Sequence, residues 1–185
     1  MSKDFNTGIA CLYADYKDQN NQTLVSILGC FLYQFLTSSR APIPDEVIQK
    51  LHNIQQQRRK LGTEDILTLL KMQLSQLQRA FICIDAVDEL EPTVRQQLLN
   101  ILKDFVTNNG NICLFLTARD HIESEVQKRF EVAQKYRVEI SANKQDIQQY
   151  VRQQIRKDHD LNPEAIDTVL AKDIEDVIIE NSEGM

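Results

Sequence analysis

The segment FICIDAVDEL, residues 81–90, runs from an apolar stretch straight into Asp85, with Asp88 and Glu89 close behind and Pro92 after them. Carboxylates at the C-terminal end of a parallel strand lie in the crevice where α/β folds take their ligands. A carboxylate there suits Mg²⁺, a hard cation that prefers oxygen and keeps several waters, so Asp85 is the candidate metal ligand. Asp88 and Glu89 are the candidate catalytic pair, placed to orient or deprotonate a water for attack on a phosphoryl group. The plainer reading is that both acids merely complement the positive end of the next helix. A second apolar run, LFLTARD at 114–120, ends in Thr117 and Arg119. If the two runs are neighbouring strands, Arg119 falls near Asp85, where its planar guanidinium suits a γ-phosphate. Thr117 and Arg119 are then the cofactor-binding candidates. The alternative for Arg119 is a surface ion pair with Asp120 or Glu123.

Four short runs read as the strands that must carry these groups: residues 9–13 (IACLY), 81–84 (FICI), 112–117 (ICLFLT) and 136–140 (YRVEI). The first three are almost continuously apolar, the pattern of strands buried on both faces of a parallel sheet. The fourth alternates and suits an edge. Between them the apolar positions recur at three and four. Leu24, Ile27, Leu28, Phe31, Leu32 and Phe35 share one helix face. A second helix is expected from Pro44 to about Lys60, with Val47, Ile48, Leu51 and Ile54 facing in. Thr63, followed by Glu64 and Asp65, opens a third carrying Ile66, Leu67, Leu70, Leu74 and Leu77. Pro92 suits the first turn of a fourth through Leu98, Leu102 and Phe105. Ile122, Val126 and Phe130 mark a shorter helix, and Ile147, Tyr150, Val151 and Ile155 another. Asn162-Pro163 opens a last pair at about 166–170 and 174–179. Strands alternating with helices predict a layered α/β fold with a parallel sheet and right-handed crossovers.

The chain has 185 residues, and its 21 basic against 27 acidic residues leave a net charge of -6. That balance argues against a nucleic-acid partner or an anionic membrane surface. The N-terminus has no apolar signal region and no stretch is long enough to cross a bilayer, so a cytoplasmic location is expected. Cys11, Cys30, Cys83 and Cys113 are spaced too widely for a zinc site, and each lies in an apolar run, which predicts core packing. His52, His121 and His159 have no metal-ligand spacing, and no serine lies in a G-x-S-x-G turn. The run Gln57-Arg58-Arg59-Lys60 reads as a solvated helix end, and Tyr13, Asp15, Tyr16 and Asp18 as the exit of a buried strand.

Taken in order, these segments resemble the NACHT domain of STAND-type P-loop NTPases, especially its nephrocystin-like group. GIACLYADYKDQNNQT at 8–23 is similar to that group's strand after the phosphate-loop helix. FICIDAVDEL resembles its Walker B strand, and LFLTARD its sensor strand, with Ala118 in place of the usual serine. SANKQDIQQYV at 141–151 and ENSEGM at 180–185 resemble the segments leading toward a winged-helix region. The resemblance implies a three-layer α/β/α P-loop NTPase sheet, incomplete because the phosphate-loop strand is lacking, with a C-terminal helical segment. Residues 1–157 would be the partial NTPase core and 158–185 the start of the helical region. It gives Asp85 the Mg²⁺ role, Asp88 and Glu89 the water-activating role, and Arg119 the sensor role, with Ala86 as the usual small residue after the first aspartate. The implied function is a nucleotide-driven signalling switch. Mg²⁺ and ATP are its cofactors in a full-length parent, and effector and repeat domains of the same polypeptide, or self-association, supply its partners. The alternative is a non-enzymatic pseudo-NTPase scaffold or interaction module.

A phosphate-cradling loop, GxxxxGK[ST], needs paired glycines and a lysine. The glycines are Gly8, Gly29, Gly62, Gly110 and Gly184, no two closer than 21 residues, so no such loop fits. The resemblance places that loop just upstream of Gly8, and with it a strand lying between those at 112–117 and 136–140. The chain alone is accordingly expected to bind ATP weakly or not at all. A buried strand contributes several apolar side chains at about 1.5–3 kcal/mol each, comparable in sum to the roughly 5–15 kcal/mol stability of a domain. The isolated chain is therefore expected to be marginal, either pairing the two flanking strands directly or needing a partner segment, and not to melt cooperatively as a monomer above about 60 °C, in the upper mesophile range. Calorimetry at several concentrations checks this, and a cooperative monomeric transition above that temperature would contradict it.

Overall fold

A computed structural model of the chain describes residues 6–38, 41–130, 137–140, 143–161 and 166–181. It divides into two compact units, Met1–Lys135 and Tyr136–Met185. In the first, β1 (Thr7–Tyr13), β2 (Arg79–Asp85) and β3 (Ile112–Leu116) form a parallel sheet in the order β1-β2-β3. Helices α1 (Leu24–Ser38), α2 (Asp45–Gln56) and α3 (Thr63–Leu74) connect β1 to β2. Helix α4 (Pro92–Asn108) connects β2 to β3, and α5 (Glu123–Arg129) follows. The α/β class and the first three strands match the expectation.

Successive strand residues point to opposite sides, and here the two sides differ. Ala10, Ala80, Ile82, Ile84 and Ile112 are buried in one cluster with Leu28, Phe31 and Phe35 of α1, Leu69 and Leu70 of α3, and Leu98, Leu102 and Phe105 of α4. On the other side Ile9 is 50% and Phe115 63% exposed. The strands are thus buried on one face, not on both as their apolar runs suggested. The helices share a single core, and every second side chain points away from it. The cysteines follow the same rule. Cys11 and Cys83 are half-buried and Cys30 and Cys113 exposed, so the expected core packing of the thiols does not hold.

Strand β1 lies at the edge of the sheet, and side chains cover its outward backbone. The Cys11 N–H donates to Gln34 Oε1 (2.9 Å), and Gln34 Nε2 donates back to the Cys11 carbonyl (2.8 Å). Gln22 Nε2 donates to the Tyr13 carbonyl (3.0 Å) and the Ser38 hydroxyl to that of Ile9 (3.3 Å). An edge occupied in this way offers little to a stray strand. Gly8 is what lets α1 come this close: a Cβ there would lie 2.7 Å from Leu77 Cδ1 and 2.8 Å from Phe35 Cδ1.

Helix α2 stops at Gln56, short of Lys60, because Arg58 turns left-handed (φ 52). Its Val47 and Ile54 are buried, but Ile48 is 52% exposed, since it sits a step off their stripe. The basic run after it is not simply a solvated helix end. Arg59 forms an ion pair with both oxygens of Asp65, Lys50 Nζ lies 3.9 Å from Oδ1, and the Gly62 N–H donates to Oδ2 (3.3 Å) at the start of α3. The Arg59 guanidinium above all, with the Gly62 amide, lowers the Asp65 pKa from 3.8 to about 2.

The second unit contains α6 (Lys144–Leu161) and α7 (Thr168–Asn181). Asn143 caps α6, its Oδ1 accepting from the Asp146 N–H (2.8 Å). Glu175 of α7 accepts from Arg152 Nε (2.9 Å) and Nη2 (2.8 Å) and from Gln148 Nε2 (2.5 Å) of α6. The expected boundary at 157/158 falls inside α6. Residues 137–140 are not a strand, contrary to expectation; Tyr136 lies outside the described residues. Alternation alone makes no strand without a ladder partner, and Val138 and Ile140 are 79% and 90% exposed. One helix, α7, replaces the two expected at 166–170 and 174–179, while Asn162-Pro163 lies outside the described residues. No described helix is long and apolar enough to cross a membrane.

Two outcomes follow. Gly8→Ala should cost about 1–3 kcal/mol by overpacking against the rigid Phe35 ring, read as a lower urea midpoint at unchanged slope. Because the folded Asp65 pKa lies below the unfolded value, its contribution is complete above pH 3.8 and fades as pH falls toward about 2. The stability gap between wild type and Asp65→Asn should therefore narrow across that interval in urea titrations.

Candidate functional site

The apolar stretch of β2 delivers Asp85 to the C-terminal rim of the sheet, where its side chain is exposed. The chain then turns through Ala86, which adopts a left-handed conformation (φ 53, ψ 49). That conformation costs roughly 1–2 kcal/mol for an L-residue, and it is held from the neighbouring strand. The Ala86 N–H donates to Thr117 Oγ1 (2.8 Å), and the same hydroxyl donates to Asp85 Oδ1 (2.5 Å). Thr117 N–H reaches the Ile84 carbonyl (3.0 Å), and Val87 N–H reaches the Thr117 carbonyl (2.9 Å). A single turn of 3-10 helix, Val87–Glu89, follows. Val87 at its start and Leu90 just after it are buried, which leaves Asp88 and Glu89 at the rim.

Arg119 meets them there. Its backbone N–H donates to Asp88 Oδ1 (3.3 Å), its Nε lies 3.8 Å from Asp88 Oδ2, and its Nη2 donates to Glu89 Oε1 (3.2 Å). The Asp88 side chain is only 3% exposed, that of Arg119 74%. The structure thus brings all five sequence-derived candidates, Asp85, Asp88, Glu89, Thr117 and Arg119, to one rim. It also shows where Arg119 pairs and which acid caps α4. The ion pairs of Arg119 go to Asp88 and Glu89, not to Asp120 or Glu123. The helix-capping role falls to Glu91, whose carboxylate accepts from the Val94 N–H (2.9 Å) and is held below the usual carboxylate range by the Thr93 and Val94 amides.

Other residues at the rim escaped the sequence reading. Arg95 of α4 is buried; its Nη1 donates to the carbonyls of Leu90 (3.1 Å) and Asp88 (3.3 Å), and its Nε to Glu125 Oε2 of α5 (3.2 Å). The available signal was an arginine on the apolar stripe of Leu98, Leu102 and Phe105. The segment after β1, read as a plain strand exit, closes onto Glu89. Tyr16 N–H donates to Glu89 Oε2 (3.3 Å) and Gln19 Nε2 to the Glu89 carbonyl (2.8 Å).

A family model described as nephrocystin 3, N-terminal, matches residues 2–119. The chain belongs to that family. The match to the nephrocystin 3 N-terminal model takes in β1, β2, β3 and every rim residue from Asp85 to Arg119. No curated protein and no solved structure matches the chain.

Asp85 and Thr117 present oxygen donors only, the donor type a hard cation takes. Among the described residues no group of three or more His, Cys, Asp or Glu side chains could hold a metal ion. A Mg²⁺ at Asp85 therefore fits only with water and phosphate oxygens completing its shell.

Thr117→Val leaves the Ala86 amide without its side-chain acceptor and should cost about 1–3 kcal/mol, whereas Thr117→Ser keeps the hydroxyl and should cost less. Arg95→Met abandons the buried Leu90 carbonyl, the part-buried Asp88 carbonyl and Glu125, with a loss of similar size. Urea denaturation of the three variants reads both.

Proposed function

We propose that residues 6–130 are the acidic and sensor half of a NACHT-type module of the STAND P-loop NTPases, part of a nucleotide-driven signalling switch in a full-length parent. The observation that supports this most is the convergence of Asp85, Asp88, Glu89 and Arg119 from the ends of two adjacent parallel strands. In this reading Asp85 would hold Mg²⁺, which when bound neutralises phosphate charge. Asp88 and Glu89 orient the attacking water and accept its proton. Thr117 keeps the Asp85 carboxylate turned to the rim, and Arg119 engages the γ-phosphate.

The magnitudes allow such an exchange of partners. An exposed ion pair is worth about 0–1 kcal/mol, so Arg119 gives up Glu89 readily for a phosphate, to which a guanidinium binds through two parallel bonds. Glu89, released, is then free to face a water. The cytoplasm, ATP, and effector or repeat domains of the same polypeptide are the setting this reading expects.

A second reading, a pseudo-NTPase scaffold, is favoured by a different observation. The Asp88 and Glu89 carboxylates are already engaged by Arg119 and the Tyr16 amide.

Isothermal titration separates the two. Mg-ATP added to the chain alone is expected to give no micromolar binding, and a micromolar Kd would refute that. A chimera carrying a GxxxxGK[ST] strand, loop and helix from an active family member upstream should bind and hydrolyse ATP. In it, Glu89→Gln should lower turnover about 10²–10⁴-fold, the usual scale for a general base. A chimera that binds without turnover would support the scaffold.

A further inference from the structure

Among the described residues, the face of the sheet turned away from the helical core carries a pair of nucleophilic side chains that the rim does not use. Cys11 and Cys83 are directly opposite one another in the β1–β2 register. Both point away from the face that packs Ala10, Ile82 and Ile84 into the core, and both are half-buried, so reagents can reach them. From the register and the accessibility together, we infer that Cys11 and Cys83 are a thiol–disulfide modification site that closes a bridge between the strands by exchange with a small disulfide of the glutathione class.

Adjacent strands lie about 4.7–4.9 Å apart, inside the roughly 4.4–6.8 Å Cα separation that a disulfide tolerates. The same arithmetic excludes Cys113. Cys113 is in register with Phe81, two residues before Cys83. Two residues add about 6.6 Å along the strand, and the diagonal of about 8 Å exceeds the bridging limit of roughly 7 Å. Cys30 lies on α1, where the Gln34 Nε2 that donates to its Sγ (3.1 Å) also donates to the Cys11 carbonyl (2.8 Å), so Cys30 is the competitor that the test must separate. Burial, and then the neighbouring Cys11 thiol, raise the Cys83 pKa. Either thiol can open the exchange, and a thiol held protonated is the slower to do so.

The step balances. Where Cys11 opens it, that thiol gives its proton to solvent and its sulfur attacks one sulfur of the small disulfide, breaking that S–S bond and releasing one thiolate, which takes up a proton. Cys83, deprotonated in turn, attacks Cys11 Sγ and releases the second small thiol. The protein loses two electrons and two protons, and the small disulfide gains both. The bridge lies two residues before Tyr13 and Asp85 on their respective strands. It therefore staples β1 to β2 just below the acidic rim.

The test uses the full chain carrying Cys30→Ser and Cys113→Ser, incubated with glutathione disulfide in native buffer. The expected product is a monomer that has lost both free thiols and whose mass is that of the reduced chain less both thiol hydrogens. Tryptic peptides 4–17 and 80–95 should be joined, and dithiothreitol should separate them. Two stable glutathione adducts, a covalent dimer, or unreacted thiols would each overturn the proposal. If the double variant does not fold, the same mapping on the wild-type chain decides. A dominant Cys11–Cys83 link supports the site, and a dominant link through Cys30 or Cys113 overturns it. The link must also lose its dominance in guanidinium; its persistence there would mean that the fold does not select the pair, and would overturn the proposal as well.

Discussion

One hydroxyl holds the rim together. Thr117 Oγ1 accepts from the amide of Ala86 and donates to the carboxylate of Asp85, so the end of β3 grips the end of β2 at the point where the chain leaves the sheet. The left-handed Ala86 is tolerable because those bonds, with Val87 to the Thr117 carbonyl, over-determine the turn. Everything after the turn inherits its direction from it. Val87 drops into the core, and Asp88 and Glu89 are left facing Arg119, two residues beyond the same threonine. Arg95 secures the far side of the turn by holding the carbonyls of Asp88 and Leu90. The acidic loop is thus clamped between β3 and α4.

The second constraint is the one-sided sheet. A single helical layer supplies the apolar partners for Ala10, Ala80, Ile82, Ile84 and Ile112, while Ile9, Phe115 and the strand thiols face away from it. The layer holds its place against β1 by close approach at Gly8 and by the Gln34 amide, which pairs with the backbone of the edge strand. The same geometry that buries one set of side chains therefore exposes the other. The acidic rim and the thiol pair both stand on strands whose other face is fixed in the core.

The residues matched by the nephrocystin 3 N-terminal model, 2–119, take in both the thiol pair and the rim groups from Asp85 to Arg119. The family relation says which sequence pattern is present.

Much of this was legible along the chain. The apolar runs at 9–13, 81–84 and 112–117 mark the three strands, and recurrence at three and four marks the helices, because both patterns are set by the backbone's own period. FICIDAVDEL and LFLTARD place acids and an arginine immediately after strands, so their arrival at a rim needs only that the strands be neighbours. Other features depend on residues far apart in sequence. An apolar run looks the same whether one face or both are covered, so the exposure of Cys113 and Phe115 was not readable from ICLFL. YRVEI has the alternation of a strand, yet residues 137–140 have no strand partner. The partners of Glu89, some 70 residues upstream in Tyr16 and Gln19, exist only once β1 and β2 pair in register. Local sequence determined which elements form and which residues stand at their ends. Tertiary structure decided which faces are covered and which distant groups meet, because burial and hydrogen bonding are settled by what the rest of the chain brings alongside.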